Sequence, residues 1–149
     1  MTVNQNKLTE ILSVQNTDVT IKVVEINNTS DKLFEIIQYE LEEDELSAYK
    51  KISNEKRKRE WLSVRILLKE MTGKYTKILY DDHRNPYIKD NIEISITHSK
   101  NLVGIILSKR RSAGIDSEII SDRILRTAHK FIPKDELQKF PEDSKTELC

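Results

Sequence analysis

Apolar positions along this chain follow two periods, and the switches between them mark its elements. Leu8, Ile11, Leu12 and Val14 scatter through an otherwise polar opening, so residues 1–18 read as a loosely held arm. Val19 to Ile26 alternates with the two-residue period of a strand, and Asn27-Asn28-Thr29-Ser30-Asp31 supplies turn and helix-cap chemistry. From Lys32 the spacing becomes helical, through Leu33, Ile36, Ile37 and Leu41, then Leu46, Tyr49 and Ile52. The acidic stretch between these two sets is expected to divide them into two helices. Ser53-Asn54 is a second cap signal, with Trp61, Val64, Leu68 and Met71 on one face behind it. Gly73 sits where a helix ends in the left-handed conformation.

The second half returns to short strands. Ile78 to Tyr80 and Ile92 to Thr97 have strand character, separated by the turn sequence Asp81-Asp82-His83-Arg84-Asn85-Pro86, and the latter strand ends at His98-Ser99. Val103 to Leu107 is an apolar run interrupted only by Gly104, the pattern of a buried strand. Lys109-Arg110-Arg111 breaks it, and Ala113 to Glu118 reads as the returning strand. Ser121 then caps a helix with Ile124, Leu125, Ala128, Phe131 and Ile132 on its apolar face. Pro133 suits the first position of a further short helix, Lys134 to Phe140. Helices and short strands intermingle without repeats or linkers, which predicts an α+β fold built on an antiparallel sheet.

A chain of 149 residues fits one domain, or part of one, with a substantial core. Lys plus Arg equals Asp plus Glu at 25 each, so total charge favours neither nucleic acid nor a membrane surface as partner. The charges are nevertheless segregated, acidic over Glu40 to Glu45 and basic over Lys50 to Arg59. The single Cys, at position 149, excludes an internal disulfide framework and fits a reducing cytoplasm. No apolar run approaches membrane-spanning length, and with 3 glycines there is no Gly-rich phosphate loop.

Candidate chemistry centres on Gly114-Ile115-Asp116-Ser117-Glu118. On a strand, Asp116 and Glu118 would share one face, where two carboxylates repel unless a cation lies between them; oxygen-only ligands favour a hard ion such as Mg²⁺. The alternative is two solvated acids at a strand end. Gly114 would permit close approach of a backbone or ligand. Arg65 sits at the margin of an apolar helical face, to bind a phosphate with its planar fork or to run along the hydrophobic edge. His98, flanked by the Thr97 and Ser99 hydroxyls, would suit a phosphate pocket or simply a surface position. Lys56, Arg57, Lys58 and Arg59 read as a solvated face within reach of the same anion. Glu136 falls in the first turn of its helix, where the dipole favours a carboxylate with or without a catalytic role.

Four blocks in register resemble the 4′-phosphopantetheinyl transferases, specifically the two-lobed, surfactin-synthetase-activating type. They are Arg59-Glu60-Trp61-Leu62 through Arg65-Ile66-Leu67-Leu68, then Ile94-Ser95-Ile96-Thr97-His98-Ser99, then Gly114-Ile115-Asp116-Ser117-Glu118, then Lys130-Phe131-Ile132-Pro133-Lys134-Asp135-Glu136. The likeness spans roughly Val19 to Leu148. It departs from the family at Arg84-Asn85-Pro86, where Gly-Lys-Pro is usual, and at Thr97, where Ser is usual.

The resemblance implies a lobe of antiparallel sheet packed with helices over residues 19–112, and the start of a second, pseudo-symmetric lobe over 113–149. That second lobe would be incomplete, since the family continues into a Trp-x-x-Lys-Glu helix. It further implies Mg²⁺ on Asp116 and Glu118, coenzyme A phosphate contacts from His98, Ser99 and Arg65, and a catalytic role for Glu136 beside Asp116. The implied activity is Mg²⁺-dependent transfer of phosphopantetheine from coenzyme A to a serine of an acyl or peptidyl carrier protein in the cytoplasm. A catalytically impaired remnant that binds coenzyme A or the carrier protein is the alternative, as is a remnant with no activity.

Overall fold

The computed structural model describes residues 8–119 together with Ser121 and Lys130. By contact the chain divides into two units, Met1–Ser117 and Glu118–Cys149. The first contains β1 (Thr9–Gln15), β2 (Val19–Glu25), α1 (Ser30–Ile37), α2 (Glu43–Lys50), α3 (Glu55–Thr72), β3 (Leu79–Tyr80), β4 (Pro86–Tyr87), β5 (Glu93–Ser99) and β6 (Leu102–Ser108). It is a mixed α+β arrangement whose four-stranded antiparallel sheet runs in the order β1-β2-β6-β5, with β3 and β4 forming a separate two-stranded ribbon.

The sheet is apolar on both faces, by different means. Val24, Val103, Ile105, Leu107 and Ile94 join a single core with Leu33 and Ile37 of α1 and Leu62, Leu67 and Leu68 of α3. That is the helix-covered face. Register puts Val14, Ile21 and Ile106 in one row on the opposite face, and Leu12, Val23 and Gly104 in the next. Leu12 and Val14 remain 47% and 44% exposed there, while their alternating neighbours Ser13 and Gln15 lie on the helix-covered side. The opening segment is thus a paired strand where a loose arm was expected. Its period was obscured because a register shift between Glu10 and Leu12 leaves Ile11 as an extra, 56% exposed residue.

The helix ends follow their caps. Asn54 accepts the Arg57 N–H at 3.0 Å to start α3, and Gly73 ends it at φ 74°, donating its N–H to Lys69. Thr29 caps α1, and the break between α1 and α2 falls where the acidic stretch predicted it. Arg59, grouped with its neighbours as a solvated face, instead donates to the carbonyls of Ile26 and Asn28 and ties α3 to the end of β2.

The expected returning strand over Ala113 to Glu118 does not form. Both edges of β6 are already taken, by β2 and β5, so the segment cannot pair back onto β6. Residues 113–117 instead lie against the sheet face at β5, held by side chains: the Ile115 N–H donates to Ser95 Oγ at 3.3 Å, and Thr97 Oγ1 meets Ser117 Oγ at 2.8 Å. A Cβ on Gly104 would lie 2.9 Å from the Thr97 methyl and 3.2 Å from Ile115 Cδ1, so the close approach expected at Gly114 occurs at Gly104. A Cβ on Gly114 would meet nothing within 4 Å. The helices expected after Ser121 lie outside the described residues.

Candidate functional site

Where α3 passes β5, a cleft of about 350 Å³ opens, lined by Arg57, Glu60, Trp61, Val64, Arg65, Tyr80, Pro86, Ile96 and His98. Its elements explain its composition. Arg57, Glu60, Trp61, Val64 and Arg65 recur at three- and four-residue spacing along α3 and so share a side of the helix. Ile96 and His98 are two apart on β5 and share a sheet face. Tyr80 and Pro86 come from the small ribbon, where they pair with each other. The walls are apolar and aromatic. Its polar groups are Arg57, Arg65, His98 and the one carboxylate Glu60, a set that suits an anionic ligand carrying an apolar or aromatic portion.

Two of the predicted ligand residues therefore converge. His98 projects from within β5 with its side chain 57% exposed, and its Nδ1 faces Glu60 Oε2 at 3.8 Å. Glu60 also faces Lys56 at 3.6 Å. Arg65 does not run along a hydrophobic edge: only 4% of it is exposed, its Nε donates to Glu45 Oε1 at 3.0 Å, and its Nη1 donates to the Trp61 carbonyl at 3.2 Å. Its guanidinium carbon lies 3.2 Å from the centre of the Trp61 ring. Nor does it stand as a loose cation. Ser99, also expected at a phosphate, ends β5 at the two-residue Lys100-Asn101 turn, where Lys100 takes φ 52°, and it does not line the cleft.

Glu45 is the partner that makes this burial possible, and sequence reading passed over it. It lies in an acidic run that looks solvated, yet it is only 4% exposed. Its Oε1 takes Arg65, and its Oε2 takes the Tyr75 hydroxyl and the Glu42 N–H, the last a capping contact at the start of α2. Burial, followed by the bond to Glu45, pushes the Tyr75 phenol well above the ordinary tyrosine range. Trp61, Tyr80 and Arg57 were likewise read as core, strand and solvated face. A helical wheel drawn through Arg57, Trp61 and Arg65 would have put them together.

Asp116 is exposed at the end of the first unit, and its Oδ1 accepts the Ser117 N–H at 2.8 Å and Thr97 Oγ1 at 3.4 Å. Glu118 opens the second unit, exposed, with Oε1 accepting the Ile119 N–H at 2.9 Å. Both hydrogen-bonded oxygens leave a second carboxylate oxygen on each residue, and such donors are of the kind that a hard divalent ion takes. Among the described residues no group of three or more His, Cys, Asp or Glu side chains is placed to hold a metal ion. Two carboxylates suit Mg²⁺ only where water and substrate phosphate complete the shell. Glu136 lies outside the described residues. Among the described residues no helix is long and apolar enough to cross a membrane.

No family model matches this chain, and no curated protein matches its sequence.

Proposed function

We propose that this chain acts as a 4′-phosphopantetheinyl transferase, moving phosphopantetheine from coenzyme A to a serine of an acyl or peptidyl carrier protein. The observation that carries the reading is the cleft between α3 and β5. It brings two of the resembling blocks, Arg59 to Leu68 and Ile94 to Ser99, face to face around Arg57, Arg65 and His98. A nucleotide-bearing thiol with three phosphates matches two arginines and a histidine set against Trp61 and Tyr80. In the reaction the serine oxygen bonds to the phosphorus bearing pantetheine. The bond from that phosphorus to 3′,5′-ADP breaks, and the serine proton passes to a base, the role the resemblance gives to Glu136. The resemblance gives Mg²⁺ to Asp116 and Glu118, where it would offset the charge of the pyrophosphate; Asp116 bonds Thr97, on the face of β5 opposite to His98. His98 and Arg57 hold the phosphates from the cleft side, and the apolar wall excludes water from one flank of the ligand.

Calorimetric titration with coenzyme A and with dephospho-coenzyme A tests the cleft assignment. Coenzyme A should bind more tightly, by about 1.5–3 kcal/mol for one charge-assisted phosphate contact, and His98→Ala should remove much of the difference without lowering the melting temperature. Equal affinities would remove the phosphate assignment. Mass spectrometry of an acyl carrier protein incubated with the chain, coenzyme A and Mg²⁺ reads transfer directly. Undiminished loading in Asp116→Ala would overturn the metal assignment.

A further inference from the structure

We propose that Glu45, which does not itself line the cleft, is the positioning residue that fixes the cleft's aromatic wall. It holds the Arg65 guanidinium over the Trp61 ring, and Tyr75 locks the clamp by bonding Glu45. The contacts form a continuous chain. Tyr75 and the Glu42 N–H occupy one carboxylate oxygen of Glu45, Arg65 Nε occupies the other, and Arg65 reaches Trp61 through both its ring face and its carbonyl. Arg65 and Trp61 are cleft residues, whereas Glu45 and Tyr75 are not. With its Nε and Nη1 held from inside the fold, Arg65 presents a fixed plane rather than a mobile charge. Trp61 is further braced by the buried Tyr49, whose ring centre lies 5.7 Å away and stacks in turn on Phe34 at 4.9 Å. A ligand meeting this wall therefore pays little to order it. Glu45 supplies that preorganisation from α2, across a helix boundary and without touching the ligand.

Trp61 is the single tryptophan of the chain, so its fluorescence reports on this wall alone. Glu45→Gln keeps the shape and removes the charge. In the folded, ligand-free protein, held well below its melting transition, this variant should show a red-shifted Trp61 emission and stronger acrylamide quenching. Tyr75→Phe, which leaves both charges in place, should shift the emission in the same direction by less. Arg65→Lys, which keeps a charge but loses the plane, should resemble Glu45→Gln. The role of the wall in binding rests on the function proposed above, and coenzyme A is the probe for it. Its affinity should fall about tenfold in Glu45→Gln, the lower end of the cost known for partners that orient metal-ligating side chains.

An emission and quenching profile identical to wild type in both Glu45→Gln and Tyr75→Phe would overturn the clamp. If Glu45→Gln does not fold, the Tyr75→Phe spectrum decides by itself. A shifted spectrum with unchanged coenzyme A affinity would reduce Glu45 to a packing residue and overturn its positioning role. Failure of the wild-type chain to bind coenzyme A would sink the functional reading, while the spectral comparison would still decide whether Glu45 holds the wall.

Discussion

The cleft wall on α3 and the strip over residues 113–117 both carry charged residues singled out for ligand contact, yet the fold treats them in opposite ways. Arg65 is buried and takes Glu45, the Trp61 carbonyl and the Trp61 ring as partners. Asp116 is exposed and tied by its neighbour's N–H and one long hydroxyl contact. A buried charge must be fully partnered or it is not tolerated, so Arg65 is fixed in place by the same interactions that stabilise the unit. An exposed carboxylate on a segment without ladder bonds costs the fold almost nothing, and no other part of the unit depends on where it points. Stability and site geometry are coupled at the first and separable at the second.

Substitution at the two residues should break this comparison most visibly if it is wrong. Arg65→Ala strands the Glu45 carboxylate in the interior and should cost about 3–5 kcal/mol. Asp116→Ala removes no buried partner and should stay within about 0.5 kcal/mol of the parent. Urea unfolding of both variants measures the contrast. Equal losses would mean that residues 113–117 are as firmly built into the unit as α3.

The two glycines sharpen the same contrast at smaller scale. Gly104→Ala forces a methyl against Thr97, Val23 and Ile115, at 2.9 to 3.3 Å. Thr97 is branched at Cβ and 5% exposed, so it cannot swing aside. The expected cost is about 1–3 kcal/mol by overpacking. Gly114→Ala meets open space and φ is not in the left-handed region, so the reduced freedom of the unfolded chain should make it neutral or stabilising by about 0.4–1 kcal/mol. Thermal melts of the pair read both signs. Destabilisation by Gly114→Ala would show that the strip is constrained after all.

How far the sequence revealed this arrangement depended on whether a feature was local. The strands β2, β5 and β6, the division of α1 from α2, and the caps at Asn54 and Gly73 all leave signatures within a few residues, and they were legible. Strand β1 was not, because the bulge at Ile11 breaks its alternation and its apolar residues face away from the helices. The strip over residues 113–117 keeps the alternation of a strand, with Ile115 and Ser117 half-buried between exposed Gly114 and Asp116. What it lacks is a free edge on β6, which depends on two other strands. Convergence of His98 with α3 was suggested by the resembling blocks. Glu45 was invisible because its partner lies 20 residues away, and nothing in an acidic run marks the one member that is buried.

Acid sensitivity gives the smallest and most specific test, at the start of α3. Glu55 opens that helix and accepts two bonds from Ser30, from the hydroxyl at 2.7 Å and from the N–H at 2.9 Å, joining the starts of α1 and α3. The Ser30 hydroxyl first, then its N–H, holds the Glu55 carboxyl below the ordinary glutamate range. A carboxyl whose pKa is lower folded than unfolded binds its proton more readily in the unfolded chain. Its stabilisation is therefore complete above the ordinary glutamate value, about 4.3, and is lost as pH falls through the lowered folded value. Glu55 itself is exposed, so solvent screening keeps the contribution modest, whereas Ser30 is only 4% exposed and gives the bonds their geometry. Glu55→Gln retains an acceptor oxygen but cannot titrate. Its urea midpoint should lie slightly below wild type at pH 7, and the gap should close as the pH is taken from 5 towards 3. A gap that persisted at pH 3 would mean that the Glu55 charge contributes nothing to holding α1 on α3, leaving that to the apolar contacts of Leu33 and Ile37 with α3.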